Sequence, residues 1–170
     1  MQNQINKLTI LYILDQMGTP LLENILVTMI VDNNWMSFMD CKLALSEMLN
    51  VGLIINVAPT KAEPKIAITM SGREGLDGYY TTIPISLRED IASHIKKNRV
   101  YYKKQQEYIA DYYKNKDGTY TVSMKIDSSS CTLMDLKIIV QTRSTAKRIY
   151  KSWQDKAPII YENIHENLIE

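Results

Sequence analysis

The chain has 170 residues, 45% of them hydrophobic and 23% charged, with Lys+Arg 20 against Asp+Glu 19 for a formal net charge of +1. That balance excludes disordered, fibrous and collagen-like chains and allows one domain or two small ones. The longest apolar run, residues 26–31, is interrupted by Thr28 and falls well short of the roughly 18 residues a membrane span requires. The opening Met-Gln-Asn-Gln-Ile-Asn-Lys lacks the basic-then-apolar order of a secretory leader, so a soluble, cytoplasmic protein without membrane contact is expected. Cys41 and Cys131 have no second cysteine near them and read as reduced, structural thiols; with His94 and His165 the only histidines, neither a metal site nor a cofactor is expected.

Charge is unevenly spread: residues 1–80 carry a net −3 and the remainder +4. Gly78–Pro84 lacks helical periodicity and separates two helical patterns. A boundary there divides the chain into residues 1–80 and 81–170.

A first helix is predicted from an Asn6 cap to Met17, stopped by Gly18-Thr19-Pro20. Its apolar residues cover more than one face, so it is either central to its domain or shared with a second subunit. A second helix, Leu22–Asp32, ends at Asn33-Asn34. The third begins after Ser37, an N-cap with Asp40 three positions on, and stops at Gly52; its inward stripe is predicted as Phe38, Cys41, Leu45, Met48 and Leu49. Leu53–Val57 and Lys65–Thr69 then read as a β-hairpin with a seven-residue tip.

Three strings in this stretch carry a resemblance. Leu45-x3-Leu49-x2-Gly52-Leu53-Ile54, Ile68-Thr69-Met70-Ser71-Gly72-Arg73-Glu74-Gly75-Leu76 and Pro20-Leu21 resemble the recognition-helix end, wing closure and second-helix start of winged helix-turn-helix transcriptional regulators. Over its full length the chain is also similar to an uncharacterised bacterial family known only as a domain of unknown function. Ile83-Pro84-Ile85-Ser86-Leu87-Arg88-Glu89, Ala110-Asp111-Tyr112-Tyr113 and Trp153-x3-Ala157-Pro158-x-Ile160-Tyr161 carry that similarity. The resemblance implies a winged-helix domain ahead of an α/β region and a regulator's build; it implies no activity.

In the second half, Ser86 and Glu89 form a capping box for a linker helix whose stripe is Leu87, Ile91, Ile95 and Tyr102, running to about residue 104. Tyr108–Tyr113 reads as a strand, and Asn115-Lys116-Asp117-Gly118 as a turn. Tyr120, Val122, Met124 and Ile126 alternate with polar residues, and Met134, Leu136, Ile138 and Val140 alternate with Asp135, Lys137 and Ile139. A three-stranded antiparallel meander with one covered face follows. One helix from Ser144 to Lys156 and another opened by Pro158, with Ile160, Ile164 and Leu168 on a common face, are predicted, and one or both should back the sheet. The expected class is therefore α+β.

The third helix is the expected reading element, since a helix fits the major groove. Met36, Ser37, Met39, Asp40, Lys42, Leu43, Ser46 and Glu47 are predicted to face outward. Ser37, Met39, Lys42, Leu43 and Ser46, with Lys61 and Lys65 from the hairpin, are the predicted contacts to double-stranded DNA. Lys42 is the only cation on that helix face, and Asp40 and Glu47 would repel phosphate, which binding depends on neutralising. Met39 and Leu43, one turn apart, fit a protein partner instead. Two denser basic sets, Lys96, Lys97, Arg99, Lys103 and Lys104 beside Tyr101 and Tyr102, and Arg143, Lys147, Arg148 and Lys151, read as solvated helix faces. Asp90 and His94 are spaced to pair on a helix, but no nucleophile accompanies them, and the Ser128–Ser130 run lacks a nucleophile-elbow context. The sequence thus predicts a homodimeric DNA-binding transcriptional regulator without catalytic activity, or a winged-helix protein-interaction module that has lost DNA binding; no residue marks an effector ligand.

Overall fold

The computed structural model describes every residue except Pro59, Lys61, Ser129, Ser130 and Glu170. The chain divides into two compact units, Met1–Arg99 and Val100–Glu170. The class is α+β, with two three-stranded antiparallel sheets, one in each unit.

The first unit runs α1 (Gln2–Met17), β1 (Leu21–Leu22), α2 (Glu23–Asp32), α3 (Phe38–Val51), β2 (Ile54–Asn56), β3 (Lys65–Ile68), α4 (Met70–Tyr79) and a short 3-10 turn at Tyr80–Thr82. It then takes in the start of α5 (Ile85–Glu107). The expected order of three helices and a hairpin is present. Strand β1 has no signature in the sequence, because two residues carry no periodicity; it adds to the hairpin in the order β1-β3-β2, pairing Leu21 with Ile66 and Leu22 with Lys65.

Helix α1 is central to this unit. Leu8, Ile10, Leu11, Tyr12, Ile13, Leu14 and Met17 are all buried, which accounts for an apolar pattern spread around the helix. It starts one turn before the predicted Asn6 cap: the Ile5 N–H bonds the Met1 carbonyl, and Asn6 lies buried inside the helix, accepting from Gln2 Nε2 at 3.0 Å. Gly18 ends it at φ 70, the left-handed conformation that glycine adopts without a steric penalty. Likewise α5 begins at Ile85, so Ser86 lies within its first turn and does not cap it; the Arg88 N–H bonds the Pro84 carbonyl.

Helix α4 lies close to the hairpin because residue 72 is glycine. A Cβ there would sit 2.2 Å from the Leu53 carbonyl oxygen and 3.0 Å from Ile68 Cγ1. Thr69 Oγ1 caps this helix, accepting from the Gly72 N–H at 3.1 Å, and its own hydroxyl donates to the Gly52 carbonyl at 2.7 Å.

The second unit takes α5 onward into β4 (Tyr108–Lys114), β5 (Tyr120–Asp127), β6 (Thr132–Val140) and α6 (Arg143–Ile169). The sheet order is β4-β5-β6, with Tyr112 opposite Val122 and Val122 opposite Ile138. The Asn115–Gly118 turn is as predicted: the Gly118 N–H returns to the Asn115 carbonyl, and Gly118 has φ 89. Val122, Met124 and Ile126 form one side of the core. Ala146, Trp153 and Ala157 of α6 form the other, and Trp153 is only 1% exposed.

The C-terminal helical region is one 27-residue helix, not two, and Pro158 lies inside it, not at a start. Proline removes a helical N–H and crowds the carbonyl four residues back, at about 3 kcal/mol. Here the sheet holds the helix on both sides of that point, through Trp153 and Ala157 before it and Ile160 and Tyr161 after. The predicted face does not all cover the sheet either. Ile160 packs against the core, whereas Ile164 is exposed and Leu168 is 79% exposed. A helix of this length spans about 40 Å, while a nine-residue strand spans about 30 Å.

Candidate nucleic-acid interface

Helix α3 is set by its two ends. Ser37 Oγ accepts from the Asp40 backbone N–H at 3.1 Å, and its hydroxyl also donates to Asp40 Oδ2 at 2.8 Å. At the far end Gly52 takes φ 77, and its N–H closes on the Leu49 carbonyl. Between them Cys41, Ala44, Leu45 and Met48, spaced i, i+3, i+4, i+7, face the core.

That buried stripe differs from the predicted one. Phe38 is 54% exposed and Leu49 also reaches solvent, while Met36, predicted outward, is buried. Ala44 is the reason: its small side chain gives a weak apolar signal in sequence, yet it faces the interior and turns Phe38 and Leu49 to the flank. Burial also raises the Cys41 thiol to about 11, despite the lowering effect of nearby Lys42. It is therefore an inert packing group.

At about 100° per residue, the side opposite this stripe carries Met39, Ser46 and Asn50, with Leu43 beside them, and all four are exposed. Met39 is 73% and Leu43 55% exposed. Ser37, Met39, Lys42, Leu43 and Ser46 thus share one helix and its cap. Ser37 is already engaged in capping. Lys42 forms an ion pair with Glu23 at the start of α2, a contact between two helices that no local spacing could reveal. Lys65 is part-buried on β3, its N–H donating to Asn56 Oδ1 at 3.0 Å. Lys61 lies outside the described residues.

An open cleft of about 310 Å³ runs beside the helix start, lined by Glu23, Phe38 and Lys42 and, from the hairpin, Glu63 and Pro64. Sequence reasoning misses Phe38 and Glu23 as surface residues here, the first because its apolar ring assigns it to the core and the second because nothing local ties it to Lys42. A second ion pair, Lys7 to Glu47 at 2.7 Å, occupies the far flank of α3 and, with Asn3, holds the Glu47 carboxyl below its usual value.

Asp90 and His94 are tied to the turn between α2 and α3. Trp35 Nε1–H donates to Asp90 Oδ2 at 2.6 Å, and the Trp35 ring meets the His94 imidazole edge-on at 5.4 Å. Asn33 Nδ2 lies 3.4 Å from His94 Nε2, and Asn98 Nδ2 donates to the His94 carbonyl. Burial lowers the His94 pKa, opposed by Asp90 and aided by Lys97. This clasp fixes where α3 begins relative to the first turns of α5. Of the linker cations, Lys96, Lys97, Lys103 and Lys104 are exposed, and Arg99 donates to the Gln16 carbonyl. Tyr101 is exposed and Tyr102 buried.

Residues 6–168 match the family model described as Domain of unknown function (DUF4364). The chain belongs to this family. Neither the curated proteins nor the solved structures contain a match to it. Among the described residues no helix is long and apolar enough to cross a membrane.

Proposed function

We propose that this member of the DUF4364 family is a DNA-binding transcriptional regulator that acts as a homodimer and reads double-stranded DNA through α3. The observation that carries the reading is the outward side of that helix, where Met39, Leu43, Ser46 and Asn50 lie exposed in succession on a rigidly capped element. Ser46 and Asn50 offer hydrogen-bonding groups to base edges, and Met39 and Leu43 offer apolar contact to thymine methyls. The hairpin follows directly and supplies Lys65 to the backbone. The reading includes no catalysis and no cofactor.

A second reading, a protein-interaction module built on the same fold, is favoured by one specific contact. Lys42 is paired with Glu23, so on binding DNA it must exchange a carboxylate for a phosphate, while Met39 and Leu43 on the outward side and Phe38 on the flank are apolar and exposed. The test is selection of genomic fragments by purified protein at two salt concentrations, followed by binding of Lys42→Ala, Lys61→Ala, Lys65→Ala combined in one variant. DNA binding predicts enrichment of specific fragments, and a salt slope that drops by roughly one unit for each phosphate the variant no longer neutralises. No enrichment at either salt concentration refutes the DNA reading; unchanged affinity of the triple variant across salt shows that these lysines do not touch the DNA.

A further inference from the structure

We propose that two copies of this chain pair through α6, the two helices lying antiparallel with their solvent sides together; the inference rests on the homodimer reading and names the surface responsible. Helix α6 has segregated charge. Its first half carries Lys147 and Lys151, its last turns Glu162 and Glu166, and at the helical repeat these four fall on the side facing away from Trp153. All four are exposed, and among the described residues none has an ion-pair partner within the chain.

The spacing makes this side complementary to itself. Lys147 and Glu166 are placed symmetrically about the point between Lys156 and Ala157, and so are Lys151 and Glu162. A two-fold axis through that point sets Lys147 of each copy opposite Glu166 of the other, and Lys151 opposite Glu162, so each pair occurs twice. Close to the axis the same side exposes Asp155, Pro158 and Ile159, so one carboxylate and an apolar pair from each copy lie between the charged flanks. A parallel arrangement would oppose like charges at both ends.

The last turns of α6 need such a neighbour. From Glu162 to Ile169 every residue is exposed, although Ile164, Leu168 and Ile169 are apolar. With only their own helical hydrogen bonds to hold them, the end turns of a helix fray. In the antiparallel pair this overhang lies along the first turns of the partner's α6. Its carbonyl end then meets the partner's N–H end, and the two helix dipoles attract.

The experiment uses the full chain and measures the monomer–dimer equilibrium by sedimentation at micromolar protein. Lys147→Glu with Lys151→Glu, and separately Glu162→Lys with Glu166→Lys, should each weaken the dimer by about tenfold or more, since four attractive pairs become repulsive. Mixing the two double variants should restore a dimer, because one then presents four anions and the other four cations. The quadruple variant should also dimerise, and its melting curve controls for folding. A dimeric parent that neither double variant weakens would overturn the α6 surface while leaving the dimer reading intact. Double variants that dissociate but fail to re-form on mixing would overturn the antiparallel register. A parent monomeric at these concentrations would remove both.

Discussion

Replacing Trp153 probes the core of the second unit. The ring is 1% exposed, packed among Val122, Met124, Ile126, Ala146 and Ala157, and its Nε1–H donates to the Lys125 carbonyl at 3.2 Å. Trp153→Ala loses the transfer free energy of the ring and leaves a cavity that two strands and a helix cannot readily close, about 3–5 kcal/mol. Trp153→Phe keeps most of the volume and loses the hydrogen bond, for about 1–2 kcal/mol. Native-state amide exchange along Val122–Ile126 reads this locally, and the alanine variant should lose roughly two to four powers of ten in protection. If the alanine variant loses less than about tenfold, the ring does not anchor the sheet. If phenylalanine costs as much as alanine, the hydrogen bond and not packing is the anchor.

Gly72→Ala should destabilise the first unit by about 1–3 kcal/mol, because the new methyl meets the Leu53 carbonyl at 2.2 Å; urea titration checks it, and an unchanged midpoint would show that α4 can shift away from the hairpin. His94, whose pKa burial lowers, binds protons less readily folded than unfolded. Its contribution is therefore complete above the unfolded value of about 6.5 and is lost as pH falls through the folded one. The melting temperature of the parent should accordingly fall more steeply between neutral and mildly acidic pH than that of His94→Gln, and parallel profiles would contradict the burial argument.

Much of the architecture was legible because single residues carried strong local signals. Ser37 and Gly52 bracket α3 where predicted, and the alternation of Val122, Met124 and Ile126 places β5 and its covered face. Failures came where tertiary contacts outweighed local preference. Asn6 reads as a cap but is taken into a longer α1, and Pro158 reads as a start but is carried through by packing on either side of it. Ala44 shows a third kind of miss, a core position hidden by the small size of its side chain. At the candidate interface the exposed Met39, Leu43 and Ser46 follow from helical phase, whereas the Lys42–Glu23 pair joins two helices and leaves no mark in either.

The two tryptophans divide evenly, one to each unit, which gives the protein a pair of built-in optical reporters. The indole of Trp153 is dry and should emit toward the blue. That of Trp35 is partly exposed and meets the His94 imidazole edge-on, and an imidazolium quenches indole emission where a neutral ring does so far less. Intrinsic fluorescence, with no added label, can thus follow the protonation of His94 on α5, beside the turn that precedes α3, and, at a different wavelength, the integrity of the sheet in the second unit.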